Sequence, residues 1–330
     1  MTRLSDILGS GLRAPSKNDI KRIFTATGAA QQELFAAARA ARQAAGVDAV
    51  KLRGVIEISN YCRKGCKYCA MRPQNKAMIR YRMDADTIQA IAQEIVHTGI
   101  GIVFLQAGEH PTADAIIAEA VPRIHKLGAD VLLNVGERPR KVFADYARLG
   151  VGSYILKFET SDPQLYQRTV GSPLDRRLDC VGWIREVGMR LGTGNIVGLP
   201  GQTLDTLADD ILLALRLGPD FVSASPFVPN ENTPYEGNES GSVDLTLNSI
   251  ALCRLLFPTA LIPAVSALEK LRKDGQRLGL EAGANVLTIN FTPKHFRDNY
   301  AIYSQGRFVV GLDHVRHTVA RAGLAVQTLQ

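Results

Sequence analysis

"GVIEISNYCRKGCKYCAMR", residues 54–72, joins a short β-prone run to three crowded cysteines, Cys62, Cys66 and Cys69. The chain has only two others, Cys180 and Cys253, each alone in apolar surroundings. The run at 54–59 is the first of eight of its kind. The others lie at 101–107, 130–135, 153–159, 193–198, 220–225, 260–266 and 285–290. Amphipathic patterns separate them, such as "DADTIQAIAQEIVHTG" and "TLDTLADDILLALRLG", each closed by a glycine that can cap a helix C-terminus. Strands alternating with helices build parallel crossovers, and eight can close a ring. The fold expected is therefore α/β, a (β/α)8 TIM-type barrel. In such barrels chemistry collects at the C-terminal strand ends, and the cysteines follow the first strand directly.

Outward from that stretch, two helical patterns precede the barrel. One is "SKNDIKRIFTA", with Ser16 as N-cap, and the other "AAQQELFAAARAARQAAG", stopped by Gly46. The division expected is an N-terminal helical extension (1–48), the barrel (49–290) and a C-terminal cap and helix (291–330). A proline- and glycine-rich loop, "PFVPNENTPYEGNESGSVD", follows the sixth strand.

The chain has 330 residues, 46% hydrophobic and 22% charged, which is ordinary globular composition. No apolar run approaches the roughly 18–20 residues of a membrane span. The N-terminus lacks the apolar core of a signal peptide, and five unevenly placed cysteines make no disulfide framework. A reducing, cytoplasmic setting is expected. The net charge of +7 is scattered, with no basic run and no interleaved aromatics, so it reads as solubility. A nucleic-acid partner is not expected; an acidic protein partner is compatible with the charge.

Cys-x3-Cys-x2-Cys offers three thiolates on one loop. Structural zinc takes four ligands, and no second pair is evident. A redox Cys-x2-Cys leaves Cys62 unexplained. Iron–sulfur clusters normally use four thiolates, so three would hold three irons of a 4Fe–4S cluster and leave the fourth open. Arg63, Lys64 and Lys67 would offset the charge, and Gly65 permits the turn.

With Tyr68 before the last cysteine, the spacing resembles the signature of the radical S-adenosylmethionine (radical SAM) family. That resemblance implies one 4Fe–4S cluster on Cys62, Cys66 and Cys69, whose open iron is chelated by SAM. It also implies reductive cleavage of SAM to a 5′-deoxyadenosyl radical, an external reductant such as ferredoxin or flavodoxin, and a small-molecule or carrier-bound substrate. "QAGE", with Gly108 and Glu109, resembles the segment that meets the SAM amino group. Glu159 in "KFETSDP" resembles the acid on the SAM ribose, whose carboxylate can accept from both hydroxyls of a cis-diol. Arg177, with Arg176 as its rival, resembles the arginine on the SAM carboxylate. "GNIVGLPGQT", with Gly198 and Gly201, resembles the glycine-rich segment near the adenine.

Within the superfamily the resemblance is to the branch of biotin synthase, methylornithine synthase and the iron-only hydrogenase maturases, nearest to the maturases. It rests on "EISNYCRKGCKYCAMR", "NKAMIRYRM", "LQAGE", "GERPR", "IVGLPGQT", "PFVPNENTP", "AGANV" and "FTP". The expected function is maturase-like action on a small substrate. The alternatives are lipoyl synthase-type sulfur insertion into octanoyl groups, a methylornithine synthase-like rearrangement and, from a different class, a non-catalytic metal-binding scaffold. No second-cluster cysteines are visible; Cys180 and Cys253 read as packing. "KFET" departs from the Arg-His pair that precedes the acid in maturases. On the substrate side the candidates are Lys157, Ser266, Glu269, Thr288, Asn290, Tyr300 and Tyr303. His295, His314 and His317 are expected at the surface.

Overall fold

In the computed structural model, which describes residues 15–304 and 306–327, Ser16 opens the first helix through a reciprocal capping box with Asp19. The extreme N-terminus, read above as lacking a signal peptide, lies outside the described residues. Helices α1 (Lys17–Phe24) and α2 (Gly28–Ala44) precede β1 (Lys51–Ser59). The chain then alternates through α3 (Ala85–His97), β2 (Ile102–Ala107), α4 (Thr112–Lys126), β3 (Asp130–Asn134), α5 (Arg140–Arg148) and β4 (Ser153–Ile155). Next come α6 (Pro163–Val170), α7 (Leu174–Glu186), β5 (Arg190–Val197), α8 (Leu204–Leu217), β6 (Phe221–Pro226) and α9 (Val243–Leu256). The last elements are α10 (Ser266–Leu271), α11 (Gly275–Glu281), β7 (Val286–Asn290), α12 (Lys294–Arg297) and α13 (Leu312–Arg321).

All strand pairs are parallel, in the order β6-β5-β4-β3-β2-β1-β7. The ladder thus has seven strands among the described residues, where eight were expected. The missing one, at 260–266, survives as single bridges from Leu261 to Phe221 and from Pro263 to Val286. Two local facts keep it from extending. Pro263 has no N–H to donate, and the Ile262 N–H is taken by the Asn285 side chain at 2.8 Å. The segment still joins both sheet edges, through Leu261 N to Asp220 O at 3.0 Å and Ala264 N to Val286 O at 3.0 Å, so the ring closes. The fourth strand is also short, ending at Ile155, and its contact with β5 resumes as a single bridge from Glu159 to Asn195.

Each strand has two unlike faces. On β1, Ile56 and Ile58 point outward and are fully buried with Ile88, Ile95 and other helix residues in the main core. Gly54, on the same outward face, lies where a methyl group would strike Ile95. The inward face carries Arg53, Val55 and Glu57. Val55 meets Phe104 and Leu132 in a small inner apolar cluster. Unlike a barrel filled by layers of branched side chains, this one encloses a cavity of about 150 Å3.

The sheet is tightest where β5 meets β6. A Cβ on Gly194 would lie 1.9 Å from the Ser223 carbonyl oxygen. Gly194→Ala is expected to destabilise the fold by about 1–3 kcal/mol, the range for forced overpacking. A denaturant or thermal unfolding midpoint checks this, with Gly182→Ala, where nothing lies near the added carbon, as the mild control.

Candidate active site

The cysteine loop is laid against the end of β2 by backbone contacts. Gly108 N–H donates to Ser59 O at 3.0 Å, and Arg63 N–H donates to Glu109 O at 2.8 Å. A Cβ on Gly108 would fall 2.3 Å from the Tyr61 carbonyl oxygen, so only glycine permits this approach. Beyond the cysteines, Arg80 gathers the loop by donating to the carbonyls of Asn60, Met71 and Arg72 at 2.7–2.8 Å.

Cys62, Cys66 and Cys69 are free thiols on this loop. Burial pushes all three above the ordinary thiol value, Cys69 to about 12; neighbouring cysteines add to the rise at Cys66 and Cys69, and the Glu109 charge adds to it at Cys62. A metal entering here must displace protons, as thiolate sites always require. Among the described residues no three His, Cys, Asp or Glu side chains converge on a single ion. A cubane takes its thiolates on different irons, whereas structural zinc takes four ligands on one ion.

Glu159 stands in the left-handed region at φ 64°, at the centre of a tight turn in which Thr160 N–H donates to Phe158 O at 2.8 Å. Such a turn about a non-glycine residue is rare and strained, costing about 1–3 kcal/mol. Its Oε1 accepts from the Tyr68 hydroxyl at 3.3 Å. Its Oε2 is buried without a hydrogen-bond partner; Lys157 Nζ, at 3.4 Å, makes an ion pair that is not aligned as a hydrogen bond. An orphaned carboxylate oxygen held by backbone strain is what a ligand rich in hydroxyl donors fits. The Tyr68 ring packs on Leu165, Ile196, Leu199 and Phe227, and burial, then the Glu159 charge, keeps its hydroxyl protonated.

Arg177 is buried. Its Nε donates to Glu137 and to Tyr166 Oη, both at 2.9 Å, and its Nη1 donates to Lys157 O at 3.2 Å. Arg176 instead stacks on Trp183, 4.9 Å from the ring centre. Glu137, within the "GERPR" stretch, also accepts from Lys64 at 2.9 Å. Burial would raise its carboxyl, but the Arg177 and Lys64 charges hold it below the usual range. Glu109, in the "QAGE" motif, lies beside the cysteine loop. Its side chain accepts from Arg63 Nε at 3.1 Å and from Glu137 N–H at 2.8 Å, and so fastens the cysteine loop to the end of β3. Gly198, at φ 88°, donates to Gln202 Oε1 at 2.7 Å and abuts Gly241.

Lys157, Ser266, Thr288, Asn290 and Tyr303 line the barrel cavity. Glu269 does not line it; its carboxylate accepts the N–H groups of Asp274 (3.0 Å) and Gln276 (2.9 Å), fixing the start of α11. Tyr300 is buried beside Arg307 with an unpartnered hydroxyl and also stands off the cavity wall. His295 and His317 are exposed, whereas His314 is half-buried and shares a 2.8 Å hydrogen bond with Gln276. Cys180 and Cys253 are buried within α7 and α9.

Three cavity residues escaped the motif-based reading: Arg53, Glu57 and Arg307. Arg307 reaches in from the segment after β7 and grips Glu57 through both guanidinium nitrogens, the longer contact being 2.7 Å. Arg53 donates to Thr288 Oγ1 at 2.6 Å and lies 4.8 Å over the Phe104 ring. Among the described residues no carboxylate pairs with it. Burial lowers Arg53 only to about 10, so it stays cationic at neutral pH. The usable signal was positional: buried parallel strands are nearly continuous runs of apolar residues, and β1 carries two charges at alternate inward positions.

No helix among the described residues is long and apolar enough to cross a membrane. The Radical SAM superfamily profile matches residues 56–214. The [FeFe] hydrogenase maturase subunit HydE of Thermotoga maritima is 38% identical over 78% of this chain and 74% of its own length. The 3-methylornithine synthase of Methanosarcina barkeri is 29% identical over 83% and 79%. The crystal structure of methylornithine synthase, 24% identical, superposes with a TM-score of 0.85 over 98% of this chain and 97% of that one, a likeness of fold. The curled parallel sheet, the strand-end cysteines and these matches agree: the chain belongs to the radical SAM superfamily.

Proposed function

We propose that this enzyme acts on a small anionic molecule held inside the barrel, in the manner of the hydrogenase maturases. The observation that carries this reading is Arg53, a buried guanidinium facing the cavity with no acid opposite it. The other cations of that wall have acids of their own, Arg307 with Glu57 and Lys157 with Glu159, so Arg53 carries the excess positive charge. A carboxylate or comparable anion entering there would complete the charge balance that the protein leaves open.

Members of this superfamily use a 4Fe–4S cluster and SAM. When bound, the pair supplies a 5′-deoxyadenosyl radical by reductive cleavage of SAM. On our reading Cys62, Cys66 and Cys69 hold the cluster, Glu159 accepts the ribose hydroxyls and Arg177 meets the SAM carboxylate. Tyr68 holds Glu159 in place, and Gly198 lets the backbone approach the ligand. The enclosed wall keeps bulk water from the reacting centre. Sulfur insertion is the weaker alternative, because Cys180 and Cys253 are buried within helices and leave no ligands for a second cluster. A rearrangement of a small amino acid would use the same cation. A reducing, cytoplasmic setting suits five free thiols.

An external reductant must reach the cluster. Residues 60–82 contain seven Lys or Arg and no Asp or Glu, so the charge is less scattered than the sequence-wide view suggested. Ile79 on the same segment is 69% exposed. We assign this face to an acidic electron carrier such as ferredoxin or flavodoxin.

Three outcomes are expected. Anaerobic reconstitution of wild type yields about four irons per chain; Cys66→Ala loses the cluster and Cys180→Ala retains it, as read by iron analysis and visible absorption. Arg53→Gln weakens binding of anionic substrate candidates about 10- to 100-fold, the worth of a charge-assisted hydrogen bond, while equilibrium binding of SAM is unchanged. The charge reversals Lys76→Glu and Arg82→Glu slow SAM cleavage several-fold with a protein reductant, increasingly so at low salt, and leave the dithionite-driven rate intact.

A further inference from the structure

Asp210, on α8, is 1% exposed and has so far figured only as one position of the amphipathic pattern "TLDTLADDILLALRLG". Its Oδ1 accepts from the Ser161 N–H and the Ser161 hydroxyl, both at 2.6 Å, and from the Thr160 hydroxyl at 3.4 Å. Its Oδ2 accepts from Asn195 Nδ2 at 2.9 Å and Gln202 Nε2 at 3.2 Å. Among the described residues no cation pairs with it, so a buried carboxylate is stabilised by neutral donors alone. Burial raises it to about 6, against the pull of those hydrogen bonds. Removing it would leave five buried donors unsatisfied at once, so what the carboxylate holds is set by the segments those donors belong to.

Thr160 and Ser161 immediately follow Glu159, the residue held at φ 64°. A strained turn persists only where its surroundings fix it. Asn195 sits opposite Glu159, whose carbonyl accepts from Ile196 N–H at 2.8 Å. Gln202, through its other side-chain atom, accepts from the N–H groups of Gly198 and Leu199 at 2.7 and 3.2 Å. One carboxylate therefore fastens, from behind, both the turn that carries Glu159 and the glycine loop at 198–202.

We propose that Asp210 is a positioning residue for SAM. It locks the Glu159 turn and the Gly198–Gln202 loop in mutual register, so that the ribose and adenine contacts form together. This rests on the reading of Glu159 given above. Displacing a positioned group by as little as 1 Å can cost about 100-fold in function, so the clamp needs no contact with the ligand to matter.

The test uses the full chain with its cluster reconstituted. The readouts are equilibrium SAM binding, the change that SAM causes in the EPR signal of the reduced cluster, iron content and unfolding midpoint. Glu159→Gln should weaken SAM binding about tenfold or more; unchanged affinity would refute the Glu159 reading itself. Asp210→Asn turns an amide toward Asn195 and Gln202, and is expected to weaken SAM binding about tenfold with iron content retained. The exchange Asp210→Asn with Asn195→Asp restores a donor–acceptor pair and should recover part of the loss. If Glu159→Gln weakens binding while Asp210→Asn leaves both affinity and the EPR change as in wild type, the positioning role is overturned. Should Asp210→Asn lose its cluster, Ser161→Ala decides, since it removes one hydroxyl donor and leaves the carboxylate. A loss of about threefold or more in SAM affinity supports the clamp, and no loss overturns it.

Discussion

The mouth of this barrel depends on backbone lying against backbone at Gly108. The cysteine loop can reach the end of β2 only because that position has no side chain. Everything that holds the loop then follows in series. The Glu109 carbonyl and carboxylate take Arg63, its other oxygen takes the Glu137 N–H, and the Glu137 carboxylate takes Lys64 and Arg177. Breaking one partner in such a buried chain leaves a charge uncompensated, a loss of about 3–5 kcal/mol. The loop is thus fixed by a connected run of charged side chains rather than by apolar packing alone.

The barrel separates stability from chemistry by strand face. Outward residues of β1 join the core under the helices, while its inward residues present Arg53 and Glu57 to a hollow interior. A hollow, charged barrel sacrifices the apolar burial that layered branched side chains would supply, at about 25 cal/mol per Å2. The helix-covered outer face has to compensate, and it is accordingly packed with fully buried Ile, Leu and Val. Where the interior needs charge, it is mostly paired at once, as in Glu57 with Arg307. Arg53 is the exception, and therefore the informative one.

Much of this was legible in the sequence because it is written locally. Cysteine spacing, the N-cap Ser16 and strand–helix alternation are short-range signals. What was not legible depends on distant partners. The strand at 260–266 reads as β-prone, yet Pro263 and the Asn285 side chain reduce it to two bridges. Glu109 carries a motif, but its partners, Arg63 and the Glu137 N–H, lie 46 and 28 positions away. The left-handed turn at Glu159 has no glycine or asparagine to announce it. Asp210 looks like any charge on an amphipathic helix until its five donors are placed around it.

Glu57 and Arg307, which clasp across the cavity, stand 250 positions apart in the chain. During synthesis the cysteine loop leaves the ribosome long before Arg307 exists, and contacts of such separation form late because their loop-closure entropy must be overcome first. The cysteine loop and the cavity wall are therefore completed at different moments. A truncated chain ending before β7 would keep its thiols without the Glu57–Arg307 clasp beside them.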